Sequence, residues 1–223
     1  MIKLRNISVK YGENVIYNDF SFVFCDGVNV ILGKSGSGKT TLLNVIANLV
    51  EHEGECDAHK VAIVFQTPCL SPTSVKNNVK LVVDGANDSK IDDVLRIAQI
   101  YDSRDKKATH LSGGEQQRVS LAMAFASDAP VLLLDEPFKS LDYGTRNKLY
   151  ETLTNLLATF NKTVLLVTHD VDDALALADR IYLLQDRPCT LTQVAEITTP
   201  RNQRVEYSDE ALVLRKELQN LLK

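Results

Sequence analysis

The chain has 223 residues and a formal net charge of -4; hydrophobic residues make up 44% of it and charged residues 24%. This length suits one sizeable α/β domain, and the apolar fraction is enough for a full core. The acidic balance provides no basic surface for the phosphate backbone of nucleic acid, which argues against that class of partner. No apolar run approaches the roughly 18 residues that suggest a membrane span, and the first residues lack the pattern of a signal peptide. We therefore expect a cytosolic chain that reaches a membrane only through a partner protein.

Short apolar runs, alternating or continuous, predict the strands of the chain. In chain order these strands are Ile2 to Tyr11, Phe20 to Phe24, Val28 to Leu32, Val61 to Phe65, Val131 to Leu134, Thr163 to Val167 and Ile181 to Leu184. Apolar residues at helical spacing predict helices at Thr41 to Val50, Ile91 to Ile100, Arg146 to Phe160, Val171 to Ala178 and Asp209 to Lys223. Strands that alternate with helices indicate a largely parallel sheet covered on both faces.

The region from about residue 72 to residue 127 departs from this alternation, because it has few strand signals and several helical ones. We expect it to be a helical subdomain inserted into an α/β core. The core then consists of residues 1–71 and 128–223, and the whole chain is one domain.

A glycine-rich loop follows the buried strand Val28 to Leu32 and precedes a helix, which is the context that a phosphate-binding loop requires. Its sequence is Gly33-Lys34-Ser35-Gly36-Ser37-Gly38-Lys39-Thr40. The glycines allow backbone N–H groups to converge on a β-phosphate, and the helix adds the positive end of its dipole. Lys39 would lie between the β- and γ-phosphates, and the hydroxyl of Thr40 would bind Mg²⁺. A flexible glycine turn is the structural alternative, and the strand–loop–helix context argues against it.

Two acids, Asp135 and Glu136, end the apolar strand Val131 to Leu134. Ligands of open α/β sheets bind beyond the carboxyl ends of the strands. Asp135 would hold Mg²⁺ through water, and Glu136 would be the general base that polarises an attacking water. A solvated pair of acids is the alternative interpretation, and a phosphate loop in the same chain disfavours it.

A helix that ends near Ala126 begins with Leu111-Ser112-Gly113-Gly114-Glu115-Gln116-Gln117-Arg118. Ser112 and Glu115 have the Ser-x-x-Glu spacing of a capping box, which by itself is common and only structural. The two glycines between them remove side chains from the first turn. This leaves bare N–H groups and a hydroxyl at the positive end of the helix dipole, which suits an incoming γ-phosphate.

The Ser-Gly-Gly-Glu-Gln sequence, placed between a phosphate loop and an Asp-Glu strand, resembles the signature of ATP-binding cassette proteins. The resemblance covers nearly the whole chain. It implies an α/β P-loop NTPase core with a mostly parallel sheet, an N-terminal antiparallel β subdomain and the inserted helical subdomain. It also implies an ATPase that pairs head to tail with a second copy of itself. Ser112, Gly113, Gly114 and Glu115 would then contact ATP that is held by the phosphate loop of the partner copy.

The same resemblance implies roles for residues outside these three motifs. Gln66 matches the family glutamine that senses Mg²⁺ and the transporter, and His169 matches the switch histidine at the γ-phosphate. Ser140 and Asp142 match the loop that crosses the dimer interface. Tyr11 matches the aromatic residue that stacks on adenine. By the same resemblance Gly33 to Thr41 bind ATP, Lys39, Glu136 and His169 are the catalytic set, and the ligands of Mg²⁺ are Thr40, Gln66 and Asp135.

Within the family, the sequence is similar to ATPase subunits of nitrate, sulfonate, taurine and thiamine-pyrimidine importers. The similarity lies in the segments 135–142 and 168–180 and in the pairs Arg187-Pro188 and Pro200-Arg201. It implies a membrane-spanning permease and an extracytoplasmic substrate-binding protein as partners, no nucleic acid, and a position on the cytoplasmic face of the membrane. One segment departs from the group, because Leu70 to Val75 lacks the usual aromatic residue. We therefore expect the contact with the permease to differ from that of the group, while the ATP residues are untouched.

Two other functions within the family stay open at the level of sequence. One is an ATPase that regulates a membrane complex without transporting a solute. The other is a soluble cassette of DNA maintenance, against which the acidic charge and the lack of room for a coiled-coil insert both argue. No residue of the chain identifies the transported substrate.

Overall fold

The computed structural model describes residues 1–83, 85, 88–139, 141–204 and 208–222. The chain divides into two compact units, one formed by Met1–His59 with Thr163–Lys223 and the other by Lys60–Lys162. The predicted limits of the helical subdomain, residues 72 and 127, stay a prediction.

The strands of the described chain are β1 (Ile2–Tyr11), β2 (Asn14–Phe24), β3 (Val28–Leu32), β4 (Glu53–Asp57), β5 (Val61–Val64), β6 (Val131–Asp135), β7 (Thr163–Thr168), β8 (Arg180–Gln185) and β9 (Thr190–Glu196). The helices are α1 (Lys39–Ile46), α2 (Val75–Lys80), α3 (Asp88–Ile97), α4 (Gly113–Ala126), α5 (Tyr143–Thr159), α6 (Val171–Leu177) and α7 (Asp209–Leu221). Among these described residues, no helix is both long enough and apolar enough to cross a bilayer.

The first unit contains two kinds of sheet. An antiparallel sheet has β1 at its centre, between β2 and β4. In the other sheet, β3 lies between β7 and β8 and runs parallel to both, and β9 pairs antiparallel with β8. Every residue of β3 and of β7 is buried, as expected for parallel strands that are covered on both faces. The predicted α/β class, with a mostly parallel sheet and an N-terminal antiparallel sheet, is confirmed.

The second unit consists of the parallel pair β5 and β6 together with helices α2 to α5. Val61 of β5 lies opposite Val131 of β6, and Val64 opposite Leu134, so the carboxyl ends of both strands reach the same edge. Helix α4 contacts α2, α3, α5 and β5. This helix therefore forms the centre of the unit, and its first turn belongs to the glycine motif.

Some predicted elements differ from the observed ones. Strand β2 begins at Asn14 rather than Phe20, and α1 spans Lys39–Ile46 rather than residues 41–50. Helix α1 ends early because Asn48 has a left-handed φ of 55°. Strands β4 and β9, which the sequence analysis missed, expose most of their residues, so an apolar pattern could not show them.

Candidate functional site

The loop between β3 and α1 has a conformation that its glycines require. Gly36 and Gly38 have φ values of 77° and 99°, in the region that other residues rarely adopt. At Gly33, a Cβ atom would lie 2.9 Å from the carbonyl oxygen of Leu184, so close packing against β8 excludes a side chain at this position. Gly36 and Gly38 thus allow the backbone conformation of the loop, and Gly33 allows the close approach of β8.

Lys39 is the first residue of α1, and only 5% of it is exposed. Its ammonium group donates to the carbonyl oxygens of Gly33 and Lys34 at 2.7 and 2.9 Å. The cation is therefore held inside the curve of the loop. The residue before the helix, Gly38, provides no side-chain cap, and the first turn contains no acid. A loop with a buried cation and a helix start without a side-chain cap is suited to binding a phosphate group.

Two buried side chains that the sequence analysis missed support this loop. The hydroxyl of Tyr17, on β2, donates to the carbonyl oxygen of Gly38 at 3.1 Å. The thiol of Cys189 donates to the carbonyl oxygen of Ser37 at 3.2 Å. Burial raises the pKa of Tyr17 and the pKa of Cys189, so both groups stay protonated donors. These residues are far from the loop in sequence, and no local pattern could have shown their role.

Asp135 is the last residue of β6, and Glu136 follows it with a φ of 44°. A non-glycine residue in this left-handed region is uncommon and marks a position that its surroundings impose. The carboxylate of Glu136 forms an ion pair with the ammonium group of Lys139 at 2.9 Å. The acidic pair in the sequence predicted a role for Glu136, and no motif predicted one for Lys139.

Gln66 follows β5 and is exposed. Because β5 and β6 are parallel, it lies at the same edge of the pair as Glu136. Lys139 donates to the side-chain oxygen of Gln66 at 3.4 Å. The buried amide of Gln117, on α4, donates to the carbonyl oxygen of Phe65 at 3.4 Å. This hydrogen bond joins α4 to the segment that follows β5. The second unit thus brings Gln66 and Glu136 together around Lys139.

The capping box predicted at the start of α4 is present. The hydroxyl of Ser112 accepts from the N–H of Glu115 at 3.4 Å, and the Glu115 carboxylate accepts from the N–H of Ser112 at 2.9 Å. The hydrogen bond from the Ser112 hydroxyl is the main cause that lowers the pKa of Glu115. Glu115 is therefore ionised at neutral pH and caps the helix.

The two glycines of this motif lie in different surroundings. Gly113 is exposed, and a Cβ atom there would meet nothing within 4 Å. Gly114 is buried, and a Cβ atom there would lie 2.3 Å from Cγ2 of Thr145, on α5. Gly113 leaves the helix start open, whereas Gly114 is required for packing against α5. The motif implied the same role for both glycines, and the structure adds a packing reason for Gly114.

The other predicted residues lie on turns and helix starts. Asp142 caps α5, because its carboxylate accepts from the N–H of Thr145 at 3.0 Å. Hydrogen bonding by the Thr145 side chain, followed by that of its N–H, lowers the pKa of Asp142. Its predicted neighbour in the interface loop, Ser140, lies outside the described residues. His169 is exposed in the short connection between β7 and α6. Tyr11 ends β1 and is 50% exposed, so its ring is accessible.

The chain is similar to several known proteins. The family model described as "ABC transporter" matches residues 17–139, which is more than half of the chain. An aliphatic sulfonates import ATP-binding protein of Mycobacterium sp. is 36% identical over 94% of this chain and 90% of its own length. The nitrate transport protein NasD of Klebsiella oxytoca is 33% identical over 95% of this chain and 91% of its own length.

Two further similarities are more limited. A spermidine/putrescine import ATP-binding protein of Haemophilus influenzae is 36% identical over 83% of this chain, and the match spans only 55% of that relative's length. A solved metal-chelate type ABC transporter in an inward-facing conformation matches 97% of this chain and 88% of its own, with a TM-score of 0.73. Its identity of 22% supports the fold alone.

A glycine loop that encloses a buried lysine, between a parallel strand and a helix, is typical of nucleotide-binding α/β proteins. The family model and these relatives show that the chain belongs to the ABC transporter family. The cassettes of this family bind ATP.

Proposed function

We propose that the chain is the ATP-binding and ATP-hydrolysing subunit of an ABC importer for a small solute, such as a sulfonate, nitrate or a pyrimidine. The observation that carries the proposal is the loop before α1, which encloses the ammonium group of Lys39. The names of the relatives, which include sulfonate and nitrate transport proteins, support the importer role and the substrate class.

In this proposal ATP takes the place of the loop carbonyls around Lys39. The backbone N–H groups of Gly33 to Thr41 bind the phosphates, and Tyr11 stacks on the adenine. The exposed start of α4, with Ser112, Gly113, Gly114 and Glu115, contacts ATP held by a second copy of the chain. Ser140 and Asp142 belong to the loop at that interface.

Mg²⁺ fits the donors that the chain offers. Thr40, Asp135 and Gln66 provide hydroxyl, carboxylate and amide oxygens, which are the ligands that this hard cation prefers. The described residues contain no group of three His, Cys, Asp or Glu side chains that could hold a metal ion. In proteins Mg²⁺ is usually bound through one or two carboxylates together with substrate phosphates and water. When bound, the ion would neutralise charge on the phosphates.

The chemistry of the protein residues is positioning and proton transfer. Glu136 accepts a proton from the attacking water, and His169 contacts the γ-phosphate. Lys39 stabilises negative charge between the β- and γ-phosphates. After hydrolysis the bridging γ-phosphate contacts are lost and the two copies separate. ATP therefore controls a two-state interface between two copies of the chain.

The proposed partners follow from the importer role. They are a second copy of the chain, a membrane-spanning permease and an extracytoplasmic substrate-binding protein, with no nucleic acid. The chain would lie on the cytoplasmic face of the membrane through the permease. Isolation of the chain from solubilised membranes and identification of the bound membrane protein tests this arrangement. A non-permease membrane protein would indicate the regulatory alternative, and bound nucleic acid would indicate DNA maintenance.

Two variants test the enzymatic part. Glu136→Gln should bind ATP, accumulate the closed dimer and lose roughly a hundredfold or more of the ATPase rate, as expected for a general base. Lys39→Ala should lose ATP affinity. The matched controls are Glu217→Gln and Lys148→Ala, exposed positions on α7 and α5. Full turnover by Glu136→Gln, or unchanged ATP binding by Lys39→Ala, would refute the assignment of that residue. Uptake of candidate solutes by the reconstituted complex then tests the substrate class.

A further inference from the structure

The side chain of Lys139 lies against two residues of the proposed ATPase machinery. Its ammonium group is 2.9 Å from Oε2 of Glu136, the proposed general base. The same group is 3.4 Å from the side-chain oxygen of Gln66. Lys139 thus connects the residue after β5 with the residue after β6. The motifs of the sequence analysis gave this position no role.

The backbone around Lys139 is fixed by a tight turn. Glu136 has a φ of 44°, and its carbonyl oxygen accepts from the N–H of Lys139 at 3.1 Å. Between them Phe138 is 1% exposed, and its ring meets that of Tyr150 edge-on with centroids 4.8 Å apart. The buried ring anchors the turn, so the lysine side chain starts from a defined position. Glu136 and Lys139 are thus joined by two contacts, the backbone hydrogen bond of the turn and the ion pair of their side chains.

The exposure of the pair decides how strongly the contact acts. The side chain of Glu136 is only 11% exposed, whereas that of Lys139 is 40% exposed. An ion pair on a largely buried carboxylate is screened less than one on an open surface. It therefore restricts the rotation of the carboxylate more than an exposed pair would. A general base must be held within hydrogen-bond reach of the proton that it accepts, so this restriction has a direct effect on catalysis.

We propose that Lys139 is a positioning residue for ATP hydrolysis, which holds the carboxylate of Glu136 and links it to Gln66. This inference rests on the proposed function, because it assigns Lys139 a role in the same reaction. The lysine itself contacts neither nucleotide nor water in the proposal; it acts through Glu136. A change in the position of Gln66 would reach the general base through this side chain.

Replacement of the ammonium group tests the proposal. Lys139→Met keeps the length of the side chain and removes its charge, and we expect kcat for ATP to fall about tenfold with KM changed less than about twofold. Lys139→Arg keeps a charged donor and should recover most of the rate. Lys148→Met, an exposed lysine on α5, is the matched control and should leave both constants unchanged. Circular dichroism melting of each variant separates a catalytic effect from a loss of folding.

A double-mutant cycle with Glu136→Gln shows whether Lys139 acts through the base. In the Glu136→Gln chain, the further change Lys139→Met should not lower the residual rate. An equal tenfold loss in both backgrounds would overturn the inference, as would a wild-type kcat in Lys139→Met. These outcomes differ from failure of the proposed function, in which Glu136→Gln itself keeps full ATPase activity.

Discussion

Replacing Gly114 by alanine would place a methyl group 2.3 Å from Cγ2 of Thr145. Carbon atoms pack at about 3.5–4.0 Å, so the overlap exceeds 1 Å and one of the two helices must shift. Overpacking of this kind costs about 1–3 kcal/mol, while alanine gains about 0.5–1 kcal/mol over glycine in a helix. We therefore expect a net loss of about 1–2 kcal/mol for Gly114→Ala.

Gly113 provides the matched comparison, because a Cβ atom there meets nothing within 4 Å. Gly113→Ala should keep the stability of the chain or raise it slightly. In a chain of this length 1 kcal/mol corresponds to about 2–4 °C in the melting temperature. The two variants should therefore melt about 2–8 °C apart. If Gly113 faces a phosphate bound by the partner copy, Gly113→Ala should still lose ATPase activity despite its full stability.

Thermal unfolding followed by circular dichroism, together with ATPase rates, measures both effects. The double variant Gly114→Ala with Thr145→Ser removes the opposing methyl group and should restore most of the melting temperature. Equal melting of the Gly113 and Gly114 variants would contradict this reasoning, and so would a double variant no more stable than Gly114→Ala. Full ATPase activity in Gly113→Ala would argue against the proposed contact in trans.

Three other predictions concern the cap, the turn and the support of the phosphate loop. Ser112→Ala should lower the free energy of unfolding by about 1 kcal/mol at neutral pH. The pKa of Glu115 is lowered in the folded chain, so its ionised carboxylate stabilises the fold above pH 4.5. The difference in unfolding free energy between the variant and the wild type should therefore narrow as acid protonates Glu115. Phe138→Ala should lower the free energy of unfolding by about 3–5 kcal/mol and also reduce kcat; a fully active, equally stable variant would show that the turn is not anchored by this ring. Tyr17→Phe removes the donor to Gly38 and should cost about 1 kcal/mol and weaken ATP binding a few-fold, measured by calorimetry; an unchanged affinity would mean that the hydroxyl does not support the loop.

Much of the candidate site was predictable because its signals are local. The capping box joins Ser112 to Glu115 within one helical turn, so a segment of four residues is enough to recognise it. Strand β3 is buried throughout and leads directly into the glycine loop, so its apolar run was visible. The exposed strands β4 and β9 could not be found in this way, because they are held by pairing with β1 and β8 rather than by burial.

The order of residues along the chain sets which chemical groups it offers: a lysine in a glycine loop, two acids after an apolar strand, and a capped helix start. Each depends on residues that are neighbours along the chain. Packing in three dimensions places the Tyr17 hydroxyl against Gly38, Gly114 against Thr145, and Lys139 between Glu136 and Gln66. Most of these contacts join segments that are distant in sequence. They arise when buried elements pack at van der Waals distance, and a one-dimensional pattern does not contain that information.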